Sequence, residues 1–228
     1  MGIIQGGDAE YEESKPSLEE LAPQLEEVIA KALESDPTIL KLSGKYYSTD
    51  EITVLTRSSQ LGPVRILDLS DNQIGDSALK ILVEAEQLQN LEELNLGINF
   101  ITSQGVQEWA ASGNVALKNL KALFLSDNKL IDASLSDLIR SPNFPNLESL
   151  DVGWMEAGNE TARALGESDA MPRLKKLQLE RSYIDGEGIR ELVRGKIAGR
   201  LEELNLAANK LGDEGAKILA GASNLTYP

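Results

Sequence analysis

Leucine and other aliphatic residues recur along this chain in a fixed rhythm, with polar residues set between them. In Val64-Arg-Ile-Leu-Asp-Leu-Ser-Asp-Asn-Gln-Ile74 and Leu91-Glu-Glu-Leu-Asn-Leu-Gly-Ile-Asn-Phe-Ile101 the apolar positions coincide. The same register returns at Leu120/Leu123/Leu125/Asn128/Leu130, at Leu147/Leu150/Val152, at Leu174/Leu177/Leu179 with Ile184, and at Leu201/Leu204/Leu206/Asn209/Leu211. The starting positions 64, 91, 120, 147, 174 and 201 lie 27 or 29 residues apart. One step back, Pro37 opens a degenerate copy whose Leu40 and Leu42 fall on the same positions, making seven. Asn224-Leu225 resembles Asn90-Leu91, so an eighth begins at Leu225 and stops at Pro228.

Each unit predicts one strand and one helix. The alternation Leu94-Asn-Leu96 is the period of a half-buried strand, leucines inward and the residue between them outward. Gly75-Asp76, Thr102-Ser103, Asp132 and Gly212-Asp213 are residues of the type that starts helices. Apolar pairs at helical spacing follow them: Leu79/Leu82, Val106/Trp109, Leu135/Leu138 and Ile189/Leu192. That register makes Trp109 a core residue. Asn72, Asn99, Asn128 and Asn209 follow the strands, where a side-chain amide can satisfy backbone groups of the adjoining turn, so that stacked units form a ladder. Met155 and Ser182 stand where two of its rungs belong.

Ahead of the repeats, residues 1–16 are acidic and poor in apolar side chains, which predicts disorder. Residues 17–36 predict a helix that covers the open end of the first unit, with Ser17 and Glu20 as a capping box. Pro23 leaves two alternatives, a helix starting near it or one bent at it.

The units fit the leucine-rich pattern L-x-x-L-x-L-x-x-N-x-L. Leu201-Glu-Glu-Leu-Asn-Leu-Ala-Ala-Asn-Lys-Leu-Gly-Asp-Glu-Gly-Ala-Lys-Ile-Leu219 resembles a consensus repeat of the ribonuclease-inhibitor-like family. The resemblance covers residues 37–228. It implies an α/β fold: a right-handed leucine-rich-repeat solenoid, or horseshoe, with a parallel concave β-sheet, convex helices, seven repeats and an N-terminal helical cap. Members of that family include ribonuclease inhibitors, sensor domains of immune receptors, activators of the Ran GTPase and bacterial effectors. The expected function is therefore a non-catalytic protein-interaction module. A regulator of a small GTPase and a regulatory or effector arm of a larger protein are the alternatives.

Composition narrows this further. The chain has 228 residues and a net charge of −15, a field that repels phosphate backbones and anionic lipid, so neither nucleic acid nor membrane is an expected partner. Cysteine and histidine are absent, which removes disulfides, thiolate chemistry, Cys/His zinc sites and histidine-based acid–base catalysis. No enzyme activity and no cofactor are expected, and the partner is a protein bound by a monomer. The cytoplasm is the expected location, or a host cytosol if the protein is a delivered effector.

On a concave sheet the residues between and after the strand leucines face outward: Lys41, Asp68, Asn95, Phe124, Asp151, Gln178 and Asn205 in the middle of the strands. Phe124 and Trp154 in adjacent repeats, with Ile98 one repeat earlier, form a candidate hot spot on an otherwise small and polar surface. Asp127, Asp151 and Arg181 surround it as candidate orienting charges, and Lys175, Lys176 and Arg181 face the concave side as candidate contacts for an acidic patch on a partner. Between Arg173 and Arg200 basic residues outnumber acidic ones eight to four, against the trend of the chain.

Overall fold

The computed structural model of the chain describes residues 16–113, 116–223 and 225. Apart from Pro16 and Leu225, the expected acidic tail and the eighth repeat lie outside them.

Every leucine alternation becomes a three-residue strand: β1 (Ile39–Lys41), β2 (Ile66–Asp68), β3 (Glu93–Asn95), β4 (Ala122–Phe124), β5 (Ser149–Asp151), β6 (Lys176–Gln178) and β7 (Glu203–Asn205). They form one sheet in chain order. All pairs are parallel, and the central leucines Leu40, Leu67, Leu94, Leu123, Leu150, Leu177 and Leu204 stand opposite one another. Side chains alternate along a strand, so these leucines enter the core and their flanking residues face out. The first six are wholly buried. The repeat that is two residues longer keeps this register, because its extra length falls between the helix and strand β4.

Each strand leads to a helix: α2 (Thr49–Leu55), α3 (Asp76–Val83), α4 (Ser103–Ala111), α5 (Asp132–Arg140), α6 (Asn159–Glu167), α7 (Gly186–Arg194) and α8 (Gly212–Gly221). Neighbouring helices pack side by side, so the molecule is a horseshoe-type solenoid with sheet on one face and helices on the other. The core between them is a continuous aliphatic wedge. Trp109 belongs to it, buried edge-on against Phe144 with ring centroids 5.1 Å apart.

Helix α1 (Leu18–Leu33) precedes the repeats. It starts at the Ser17/Glu20 capping box, the Glu20 carboxylate accepting the Ser17 N–H at 2.8 Å, and Pro23 lies inside it. Leu25, Ile29 and Leu33 are buried against the first repeat, while Val28 points to solvent.

The asparagine ladder does more than close its own turns. Asn128 donates to the Leu125 carbonyl of its own repeat and the Leu96 carbonyl of the preceding one, both at 2.9 Å, and accepts the Ile101 N–H at 3.0 Å. Asn99 treats the repeat before it alike, accepting the Ile74 N–H at 3.0 Å. Each rung therefore stitches two repeats. Helix starts are stitched the same way. Asp132, expected as a cap, is the first residue of α5, and its carboxylate accepts the N–H groups of Gly158, Glu160 and Thr161 at 2.8, 3.0 and 2.6 Å around the start of α6.

Candidate interaction surface

Just beyond each strand the backbone turns through the left-handed region. Asp71, Ile98, Asp127, Trp154, Arg181 and Ala208 have φ of 53°, 55°, 56°, 56°, 50° and 58°. The side chain of each is turned outward, the next residue (Asn, Met or Ser) turns into the ladder, and the one after it is again exposed. Two outward columns result, along the loops at the carboxyl ends of the strands. The first runs Asp71, Ile98, Asp127, Trp154, Arg181, Ala208. The second runs Tyr46, Gln73, Phe100, Lys129, Glu156, Tyr183, Lys210.

These columns hold nearly all of the exposed apolar bulk. Among the described residues, seven large hydrophobic side chains are exposed, and Val28 is the one away from this rim. The others are Tyr46, Ile98, Phe100, Ile131, Trp154 and Tyr183, between 47% and 74% exposed. They border two open depressions that meet at Lys129. The larger, about 710 Å³, is lined by Lys129, Ile131, Trp154, Arg181, Tyr183 and Lys210 among others. The smaller, about 360 Å³, includes Tyr46, Ile98, Phe100, Asp127 and Lys129.

Cations from one repeat lie over rings from the repeat before. The Arg181 guanidinium is 4.3 Å from the Trp154 ring centroid, Lys129 Nζ is 5.0 Å from that of Phe100, and Lys210 Nζ is 5.4 Å from that of Tyr183. Ring faces carry partial negative charge, so each contact holds both partners in place at the surface.

Of the residues singled out in the sequence, Ile98, Asp127, Trp154 and Arg181 lie on this rim. Phe124 is half-buried in β4, its Cα paired in register with Asn95 and Asp151. Asp151 is tied up in the fold: its carboxylate accepts the Gly153 N–H at 3.0 Å and a bond from the Ser126 hydroxyl. Burial pushes its carboxyl above the usual aspartate range, against those two hydrogen bonds, and the nearby Glu180 adds to the rise. Asp68, Asn95 and Asn205 make the equivalent bond in their own repeats, to Ser70, Gly97 and Ala207 at 3.0, 3.0 and 2.9 Å. Lys176 opens β6, remote from the loop columns, and is ion-paired with Glu203 at 3.4 Å.

Tyr46, Phe100, Lys129, Ile131, Tyr183 and Lys210 did not stand out in the sequence. Aligning the residue just before the closing position of each repeat would have found five of them, because five of the seven repeats carry an aromatic or lysine residue there. Among the described residues no group of three Asp or Glu side chains is placed to hold a metal ion. No described helix is long and apolar enough to cross a membrane.

A leucine-rich-repeat family model matches residues 63–82 and 201–220. The ribonuclease inhibitor of Sus scrofa is 31% identical over 194 residues, which cover 70% of this chain and 42% of the inhibitor. The ribonuclease inhibitor of Mus musculus is 30% identical over 196 residues, with the same shares of 70% and 42%. The chain thus spans less than half the length of these relatives. Among solved structures, an internalin from Listeria monocytogenes aligns over 83% of this chain and 57% of its own, with 18% sequence identity and a TM-score of 0.47. A chain that carries this motif in one register through seven strands is a leucine-rich-repeat protein, and its repeats are similar to those of the ribonuclease inhibitors.

Proposed function

We propose that this chain is a non-catalytic module that docks a partner protein on the loop rim at the carboxyl ends of its strands, with Ile98, Trp154 and Tyr183 as anchors. The observation that carries this reading is the gathering of exposed apolar bulk: six of the seven exposed large hydrophobic side chains among the described residues lie on one rim. Scattered exposed hydrophobes need no explanation, but a contiguous row bordered by charges has the composition of an interface. Aromatic anchors already held by a cation lose little freedom on docking. The names of its relatives fit this reading, since a ribonuclease inhibitor acts on another protein.

The rim overlaps the hot spot expected from the sequence and shifts its centre. Ile98, Asp127, Trp154 and Arg181 fall inside, Phe124 and Asp151 border it on the sheet, and Lys176 lies outside. The test uses the chain as bait in cell lysate beside a variant carrying Ile98→Ser, Trp154→Ser and Tyr183→Ser. Those side chains are about half-exposed or more, so the circular dichroism of the variant should match that of the parent. Proteins retained by the parent should fall by about tenfold or more on the variant, and should be unaffected by Val28→Ser on α1. Equal retention by parent and rim variant would reject the rim as the docking surface.

A further inference from the structure

We propose that the larger depression on the rim takes a carboxylate-bearing segment of the partner, an acidic residue flanked by an apolar one. The inference rests on the reading of the rim as a docking surface and adds the chemistry of what docks there.

The chain carries a net charge of −15, yet Lys129, Arg181 and Lys210 converge on one depression, where Glu156 is the single acidic residue in the lining. Elsewhere in the same repeats four basic side chains stand in ion pairs: Lys175 with Glu202, Lys176 with Glu203, Arg190 with Glu214 and Lys196 with Asp169. Among the described residues the three rim cations have no ion pair and no side-chain hydrogen bond. Their partners are the ring faces of Phe100, Trp154 and Tyr183.

A ring face attracts a cation but offers no lone pair to its N–H groups. The donors of Arg181 and the two ammonium groups are therefore positioned at the surface without a side-chain acceptor among the described residues. A guanidinium presents its N–H groups as a planar fork matching the two oxygens of a carboxylate, and such charge-assisted bonds are stronger than neutral ones. Ile131, Trp154 and Tyr183 supply the apolar seat beside them. The smaller depression is lined by Asp71 and Asp127 together with Lys129, so a carboxylate is favoured at one end of the rim and opposed at the other. This polarity orients the segment. An extended polyanion is disfavoured by the chain's net charge of −15, whereas a short acidic stretch meets only the cations of the depression.

The experiment pans a display library of random peptides against the intact chain, then counter-selects on Trp154→Ser. Peptides that bind the parent and are lost on Trp154→Ser should be rich in Asp and Glu next to Leu or an aromatic residue. Resynthesised and measured by fluorescence anisotropy, they should bind a Lys129→Gln, Arg181→Gln, Lys210→Gln variant about tenfold more weakly, and should weaken as salt is raised. If the Trp154-dependent peptides are neutral or basic, or bind the neutralised variant as tightly as the parent, the acidic preference is overturned while the docking surface stands. If the recovered peptides bind Trp154→Ser unchanged, or none is enriched, the docking surface itself fails.

Discussion

Ile98 is the residue whose conformation conflicts most with its chemistry. A β-branched side chain at φ 55° crowds the following carbonyl, whereas Asp71 and Asp127 meet the same backbone geometry with side chains that tolerate it. Half of Ile98 is in solvent, so little burial compensates the strain. Ile98→Asn should therefore stabilise the protein by about 1 kcal/mol, read as a higher urea midpoint with an unchanged slope. A lower midpoint would mean that packing of Ile98 outweighs its strain. Strain held at a residue proposed to bind is the combination that links local instability to function. Asp151 is the complementary case, a charge held where burial opposes it. Because its folded-state pKa lies above the ordinary 3.8, ionisation of Asp151 subtracts stability. The penalty is absent well below pH 3.8, grows between that value and the higher folded-state value, and is fully present above the latter. Asp151→Asn keeps the acceptor that Asn95 and Asn205 use in their own repeats. The variant should be the more stable protein at neutral pH, and the two melting curves should converge under acid conditions. A constant gap at every pH would assign the effect to something other than the charge.

Near their carboxyl ends α6 and α7 approach closely, and two glycines, Gly166 in α6 and Gly195 just after α7, permit it. A Cβ on Gly195 would overlap the backbone of Gly166, and one on Gly166 would overlap the Glu191 carbonyl. Gly195→Ala must push the helices apart and should cost about 1–3 kcal/mol, measured by urea unfolding. Gly221→Ala at the end of α8, where nothing lies within 4 Å, should be neutral or slightly stabilising. A neutral Gly195→Ala would show that the helices can separate freely. The strands and helices themselves were legible in the sequence, because Leu94, Leu96, Val106 and Trp109 announce inward faces by their spacing alone. Contacts between repeats were harder to read. Nothing near Asp132 in the chain says that its carboxylate will serve Thr161, since the pairing exists only once two repeats are stacked. The rim was hidden for a related reason. In a left-handed turn the direction of a side chain does not follow the strand period, so Phe100 and Tyr183 read as loop residues until the turn geometry sets them in a column with Lys129 and Lys210.

In a solenoid each repeat touches only its neighbours, so stability along the whole molecule is a sum of local terms and of stitches between repeats. The stitches are uneven. Asn99 and Asn128 accept the Ile74 and Ile101 N–H groups of the preceding repeats, each at 3.0 Å. The corresponding positions in the next two repeats are Leu130 and Ala157, and there the following repeats offer Met155 and Ser182, neither of which has an amide oxygen to give. The Ser182 hydroxyl donates instead to the Glu180 carbonyl of its own turn at 3.2 Å. Two successive repeat junctions therefore lack a buried hydrogen bond that their neighbours have, and local opening should be easiest there. Hydrogen exchange followed residue by residue should show the Leu130 and Ala157 amides exchanging faster than those of Ile74 and Ile101 under native conditions. Met155→Asn restores one rung and should slow exchange at Leu130 while leaving Ala157 as it was. If Leu130 and Ala157 are already as protected as Ile101, the ladder is not what holds the repeats together. The weak junctions fall where Trp154 and Arg181 face each other across adjacent repeats, 4.3 Å apart. A solenoid that is firmer at its amino-terminal repeats and looser beneath the depression lined by Trp154 and Arg181 can adjust that depression to a partner without loosening the rest of the frame.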